Sequence, residues 1–172
     1  MLTKVAVAIS VLGLVWPATT FAQGFAQGDK EILLNGTGKS ARDFDSTRFS
    51  VEGSFGYFFT SNIEGAIRQS LDLNTTENQG SDWGASTRGA LDYHFDMGRF
   101  WPFAGGNIGY NYGDDTADTW EVGIEGGLKF FVNNTTFILG RVEYQWFLND
   151  DDTGTGFDDG QFVYTVGIGF KW

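Results

Sequence analysis

The chain has 172 residues and no cysteine, two prolines and a single histidine. Without cysteine there can be no disulfide, thiolate metal site or cysteine nucleophile. Basic residues are also scarce. Eleven Lys and Arg stand against 22 Asp and Glu, a net charge of −11. That leaves no strongly basic surface for nucleic acid, which is not expected as a partner. Past residue 22 there is no run of about twenty apolar residues, which excludes a membrane-spanning helix. Glycine (25 residues) and aromatic side chains (17 %) are abundant instead.

The first 22 residues read as a targeting segment. Lys4 supplies a positive charge, Val5 to Trp16 is apolar except for Ser10 and Gly13, and Thr20-Phe21-Ala22 offers small residues before Gln23. This is the pattern of a secretory signal peptide with cleavage after Ala22, too short to span a bilayer comfortably. Its removal takes away one cation and leaves residues 23–172 as an exported and still more acidic domain.

That domain alternates apolar and polar residues nearly throughout. From Gln161 to Trp172 every even position is large and apolar (Phe162, Tyr164, Val166, Ile168, Phe170, Trp172), and only Val163 interrupts the small or polar odd positions. Period-two alternation is the mark of a strand with two unlike faces. Seven earlier segments share the pattern: Lys30 to Lys39, Thr47 to Phe59, Asn62 to Leu73, Trp83 to Phe95, Phe100 to Tyr112, Thr119 to Phe131 and Thr136 to Leu148. The first is the least regular, because Leu33 breaks its alternation. Gln23 to Asp29 reads as a short polar leader.

Two regularities fix the architecture. Short turns (Thr60-Ser61, Asp96 to Arg99, Val132 to Thr135) alternate with longer polar connections (Ser40 to Ser46, Asn74 to Asp82, Gly113 to Asp118, Asn149 to Gly160). Charged residues also keep to one face. Arg48, Glu52, Glu64, Arg68, Asp72, Arg88, Asp92, Glu121, Glu125, Lys129, Arg141 and Glu143 all fall opposite the apolar side chains. A soluble barrel places its apolar face inside. A barrel in lipid places it outside, where a mid-membrane Arg or Lys costs about 2–4 kcal/mol. Outward aromatics collect near both strand ends, with Tyr57, Phe59, Tyr93, Phe95, Phe130, Phe170 and Trp172 toward the turns and Phe49, Trp83, Tyr110, Tyr112, Trp120, Tyr144, Trp146, Phe162 and Tyr164 toward the loops. Such belts suit the two membrane interfaces. The expected fold is all-β, an eight-stranded antiparallel up-and-down transmembrane β-barrel with both termini periplasmic.

Gly56-Tyr57-Phe58-Phe59-Thr60-Ser61-Asn62-Ile63-Glu64 and Lys129-Phe130-Phe131-Val132-Asn133-Asn134-Thr135-Thr136 look like strand-turn-strand elements of small bacterial outer-membrane β-barrels. Pro102 to Tyr110 and Arg141 to Tyr144 fit the same group. The chain from residue 23 on resembles this family, which includes opacity-type surface proteins and the membrane part of outer-membrane protein A. The last strand, through Tyr164, Ile168, Phe170 and Trp172, resembles the signal read by the outer-membrane barrel assembly machinery. The resemblance implies a bacterial outer-membrane location, with lipid and lipopolysaccharide as surroundings and a host or cell-surface ligand as a further partner. It carries over no catalytic residue.

Eight strands enclose an interior just wide enough for side chains to fill. The inward charges are therefore expected to form an internal salt-bridge network, since charge in a narrow lumen must be paired or hydrated. Inward Gly105, Gly109, Gly123, Gly127, Gly167 and Gly169 leave one side of the lumen short of side-chain volume, so a partly hydrated, non-conducting interior is expected. The alternative is a small porin-like channel for hydrophilic solutes. A membrane-embedded lipid-modifying enzyme is disfavoured, because His94 is the one histidine, faces inward at the turn end, and has no serine-acid set about it. No cofactor is expected. The last loop carries five aspartates and no cation; with Asp114, Asp115 and Asp118 it forms an acidic crown. Asp150, Asp152, Asp158 and Asp159 are candidates for weak binding of a divalent cation by oxygen ligands, although their spacing misses the EF-hand pattern. Phe157 is a candidate contact for a partner surface. A structural, adhesion or surface-interaction role through these loops is the expected function.

Overall fold

The computed structural model describes residues 24–41, 47–76, 80–113, 119–148 and 160–172, except for the side chains of 38–41, 47–49, 73–76 and 80–83. The signal peptide, Arg48's side chain, and Asp150, Asp152, Phe157, Asp158 and Asp159 lie outside the described residues.

Eight strands follow in sequence: β1 (Lys30–Ala41), β2 (Thr47–Phe58), β3 (Ile63–Thr76), β4 (Gly80–His94), β5 (Phe100–Gly113), β6 (Thr119–Phe131), β7 (Thr136–Leu148) and β8 (Gly160–Lys171). Each pairs antiparallel with the next, and β1 pairs with β8, so the sheet closes on itself. Closure leaves no edge strand, which satisfies the backbone polar groups inside a bilayer. Strands of 12 to 15 residues, rising ~3.3 Å per residue and tilted by roughly 40°, make a wall of ~30–38 Å, more than the apolar band of about 25 Å requires.

The two faces separate as the alternation requires. Ile67 and Val166 are 65 % and 67 % exposed, whereas Glu52 is wholly buried. Between the aromatic belts, no outward strand position among the described residues carries a charge. Gln69 and Thr87 are the polar exceptions, and they bond each other. Thr87 Oγ1 donates to Gln69 Oε1 (2.6 Å), Gln69 Nε2 donates to Tyr112 Oη (3.0 Å), and Tyr112 Oη lies 3.1 Å from Thr87 Oγ1. The belts pack ring against ring: Tyr57 with Phe59, Tyr93 with Phe95 and Phe100 with Phe130 on the turn side, Tyr110 with Trp120 and Tyr144 with Trp146 on the loop side.

Three expectations need correction. Asn74 to Asp82 is not all loop, because the β3–β4 ladder runs on to Thr76 opposite Gly80. Asn74-Thr75-Thr76 and Gly80-Ser81-Asp82 are polar at every position, so alternation gives no strand signal there. Leu33 does not break the register of β1. Its side chain points inward and is buried, as is that of Val163 on β8. The leader is not simply polar either: Phe25 folds into the barrel mouth and is buried there.

Candidate functional site

The lumen is filled from the turn end to the loop end in successive layers. An aromatic plug closes the turn end. Phe25 stacks on Phe58 with centroids 3.9 Å apart and meets Trp101, Phe131 and Phe137 edge-on. Lys171 anchors the leader, donating to the Gly24 carbonyl (2.7 Å) and to Asp29 (2.9 Å). The Trp101 ring lies so close to Gly24 that a β-carbon there would overlap it. Lys129 Nζ sits 4.9 Å from the Phe25 ring centroid, within cation–π range, and joins the plug to the polar layers.

The first polar layer places Lys129 between Glu31, at 2.7 and 2.8 Å, and Glu64, at 2.7 Å. His94, fully buried between Phe58 and Phe103, brings Nε2 within 3.3 Å of Glu64. In the second layer Arg68 grips Glu125 with two bonds of 2.6 and 2.7 Å and donates to Asp92 at 2.9 Å. Asn107 links this layer to the third, donating to Glu125 and to Glu143 at 2.7 Å each. In the third layer Arg88 donates to Glu143 (2.8 and 3.0 Å) and to Glu52, and stands 3.7 Å from Glu121. Arg141 donates to Glu52 at 2.8 Å and to Thr165 at 3.2 Å. Paired guanidinium–carboxylate geometry of this kind repays much of the cost of desolvating each charge.

Of the twelve charged residues read as facing inward, ten belong to these layers. Asp72 is half-buried at the loop-side end of β3, and Arg48 stands opposite Lys39 in the β1–β2 ladder. Sequence reasoning missed two groups. Glu31 lies on the expected inward face, yet nothing local marks it as the partner of Lys129, 98 residues away. Phe25 is a lone aromatic among polar residues, which carries no periodic signal. Tyr164, Ile168, Phe170 and Trp172, read from the sequence as an assembly signal, all point outward and are exposed.

The glycine side of the lumen is largely filled, in place of the partly hydrated, non-conducting interior expected. A β-carbon on Gly105 would overlap Asp92, one on Gly109 would overlap Arg88, one on Gly167 Asn35, and one on Gly169 Phe137. Long side chains from the neighbouring strands lie over the glycines and occupy the volume the glycines leave. A cavity lined by Glu31, Glu64, Arg68, Asp92, Lys129 and Arg141 measures about 10 Å³, room for about one water.

No family model matches the sequence. Solved structures do match the fold. The N-terminal β-barrel domain of Pseudomonas aeruginosa OprF is similar with a TM-score of 0.63 at 20 % identity, over 85 % of this chain and 98 % of that domain. The outer membrane protein OprG of Pseudomonas aeruginosa gives 0.62 at 15 %, covering 88 % and 99 %. Ail, the attachment invasion locus protein of Yersinia pestis, gives 0.55 at 12 %, covering 85 % and 99 %. The chain has the fold of the small eight-stranded bacterial outer-membrane β-barrels.

Proposed function

We propose that this protein is a non-catalytic barrel of the bacterial outer membrane that acts through its loop-side surface, with its filled lumen serving as scaffold. The observation that carries the reading is the occlusion of the lumen by three cross-linked ionic layers above an aromatic plug. A solute would have to break several buried ion pairs to pass, each costly to open. Function then resides on the exposed connections, as it commonly does on a rigid scaffold. Those connections are acidic, with five aspartates in the last. Ail has been solved with the heparin analogue sucrose octasulfate. A polyanion of that kind would be repelled by the loops of this chain, so the partner here is cationic, or a lipopolysaccharide surface reached through divalent cations.

Planar-bilayer recording of the purified protein tests the reading. No steady conductance is expected at neutral pH. Steady, cation-selective steps would replace it with the small-channel alternative. Replacing Asn149–Gly160 by a short turn is expected to abolish binding to a basic protein surface while leaving the barrel folded.

A further inference from the structure

Residues 24–29 belong to no strand, yet five strands hold them at the turn end. Phe25 is buried against Phe58 of β2, Trp101 of β5, Phe131 of β6 and Phe137 of β7. The Gly28 amide donates to the Phe58 carbonyl and the Phe58 amide to the Asp29 carbonyl, both at 2.9 Å. From β8, Lys171 Nζ donates to the Gly24 carbonyl and to Asp29 Oδ2, and stands 5.5 Å from the Phe25 ring centroid. The segment runs into β1 at Lys30 and is clamped by the last residue of β8, so it lies across the seam where the sheet closes.

The segment has a shape of its own. The Asp29 amide donates to the Ala26 carbonyl at 3.1 Å, and the Ala26 amide donates to Asp29 Oδ2 at 2.9 Å. These bonds close a turn around Gly28, whose φ of +92° suits glycine and strains other residues. The turn sends Phe25 back into the barrel mouth. One carboxylate oxygen, Asp29 Oδ2, therefore both shapes the turn and fastens it to β8. The receptor for Phe25 is built from inward rings of four strands, which converge only when the sheet has curled shut. The clamp joins residues 142 and 147 positions apart in sequence, and these meet only when β1 pairs with β8. Loop-closure entropy opposes such contacts until the intervening strands have paired.

We propose that Gly24–Asp29 is a strap that docks after the barrel closes and then locks the β1–β8 seam, so that the seam parts only once the strap has left. Closure and docking support each other by the same free energy, because linkage between two equilibria is reciprocal. The strap opens as one unit, with Phe25 and the Lys171 clamp released together.

Unfolding and refolding rates in lipid vesicles test the order of events. Phe25→Ala should speed unfolding on the order of a hundredfold and leave refolding unchanged, because a contact made after the transition state acts on unfolding alone. Lys171→Met keeps the side-chain stem and the ladder bonds but removes the clamp, and should speed unfolding about tenfold. The double variant should unfold little faster than Phe25→Ala, since its strap is already free. Unfolding rates that neither substitution changes overturn the proposal. So does a double variant whose effect is the product of the single effects, which would mean two independent contacts and no strap. Refolding slowed as much as unfolding is speeded overturns it as well, because the segment would then dock before closure. Should the variants fail to fold, hydrogen exchange of the wild-type protein decides. The Gly28 amide should exchange faster than the β1 amides paired with β8, and equal or slower exchange overturns the strap.

Discussion

Arg88 shows what a single residue contributes inside this wall. Its guanidinium is buried among Glu52, Glu121 and Glu143, and three strands supply those partners. Arg88→Leu leaves two carboxylates without their main cation, and removing one partner of a buried ionic cluster costs about 3–5 kcal/mol. Urea unfolding in lipid vesicles should show a loss of that size. Glu121→Gln should behave differently. Its contact to Arg88 is 3.7 Å long and its Asn111 bond can persist with an amide, so a change within about 1 kcal/mol is expected in the same assay. Phe25 makes the opposite kind of contribution. It stacks on Phe58 and meets three further rings edge-on, so Phe25→Ala should cost about 3–5 kcal/mol as a large-to-small core substitution. Because residues 24–29 plug the turn end only, the ionic layers should remain closed, and bilayer recordings of Phe25→Ala should stay silent. Loss of stability together with steady conductance would show that the plug, and not the ionic layers, is the seal.

At the scale of the strand, the energetic distinction is depth as well as face. On β6, Ile124 lies in the middle of the outward face and Trp120 in the loop-side belt. Ile124→Arg places a charge in hydrocarbon and should cost about 2–4 kcal/mol, while Trp120→Arg near the interface should cost about 0–1 kcal/mol in charge placement. Equal costs at the two positions in vesicle unfolding would contradict the membrane depth assigned to the strand. The same depth profile explains what could be read in advance. Lipid demands apolar side chains on one face, so eight strands and their inward charges were legible from alternation alone, even in β1, where Leu33 looked like an error and is an inward core residue. Strand ends that are polar on both faces carry no such pattern, which is why the β3–β4 hairpin was cut short. The partners across the lumen were not legible. Arg141 meets Glu52 from 89 residues away, and which strands face each other at a given height depends on the stagger with which the barrel closes. Phe25 was invisible for a further reason, since a plug residue need obey neither period.

At the scale of the whole molecule, closure turns many weak contacts into one cooperative unit. The β1–β8 seam is paired from Glu31 opposite Lys171 to Ala41 opposite Gln161, and its turn end is fastened by reciprocal backbone bonds of 3.0 Å between Lys30 and Trp172. No strand can leave without breaking two ladders, and the lumen side chains bind opposite walls together. Detergent can replace lipid on the outer face without competing for any of these bonds. In an electrophoretic gel the unboiled protein should therefore run as a compact species and shift to the mobility of an extended chain only after boiling. Opening the seam should lower the temperature at which the shift occurs. Ile168→Pro is the sharpest such change, because it removes a ladder donor from β8 and strains the pairing with β1 and β7 together. Arg88→Leu, which leaves every backbone ladder intact, should lower it less for the same loss of equilibrium stability. If boiling changes nothing, or if the protein fractionates with soluble material, the apolar outer face does not meet lipid and the closed-barrel reading of its stability fails with it.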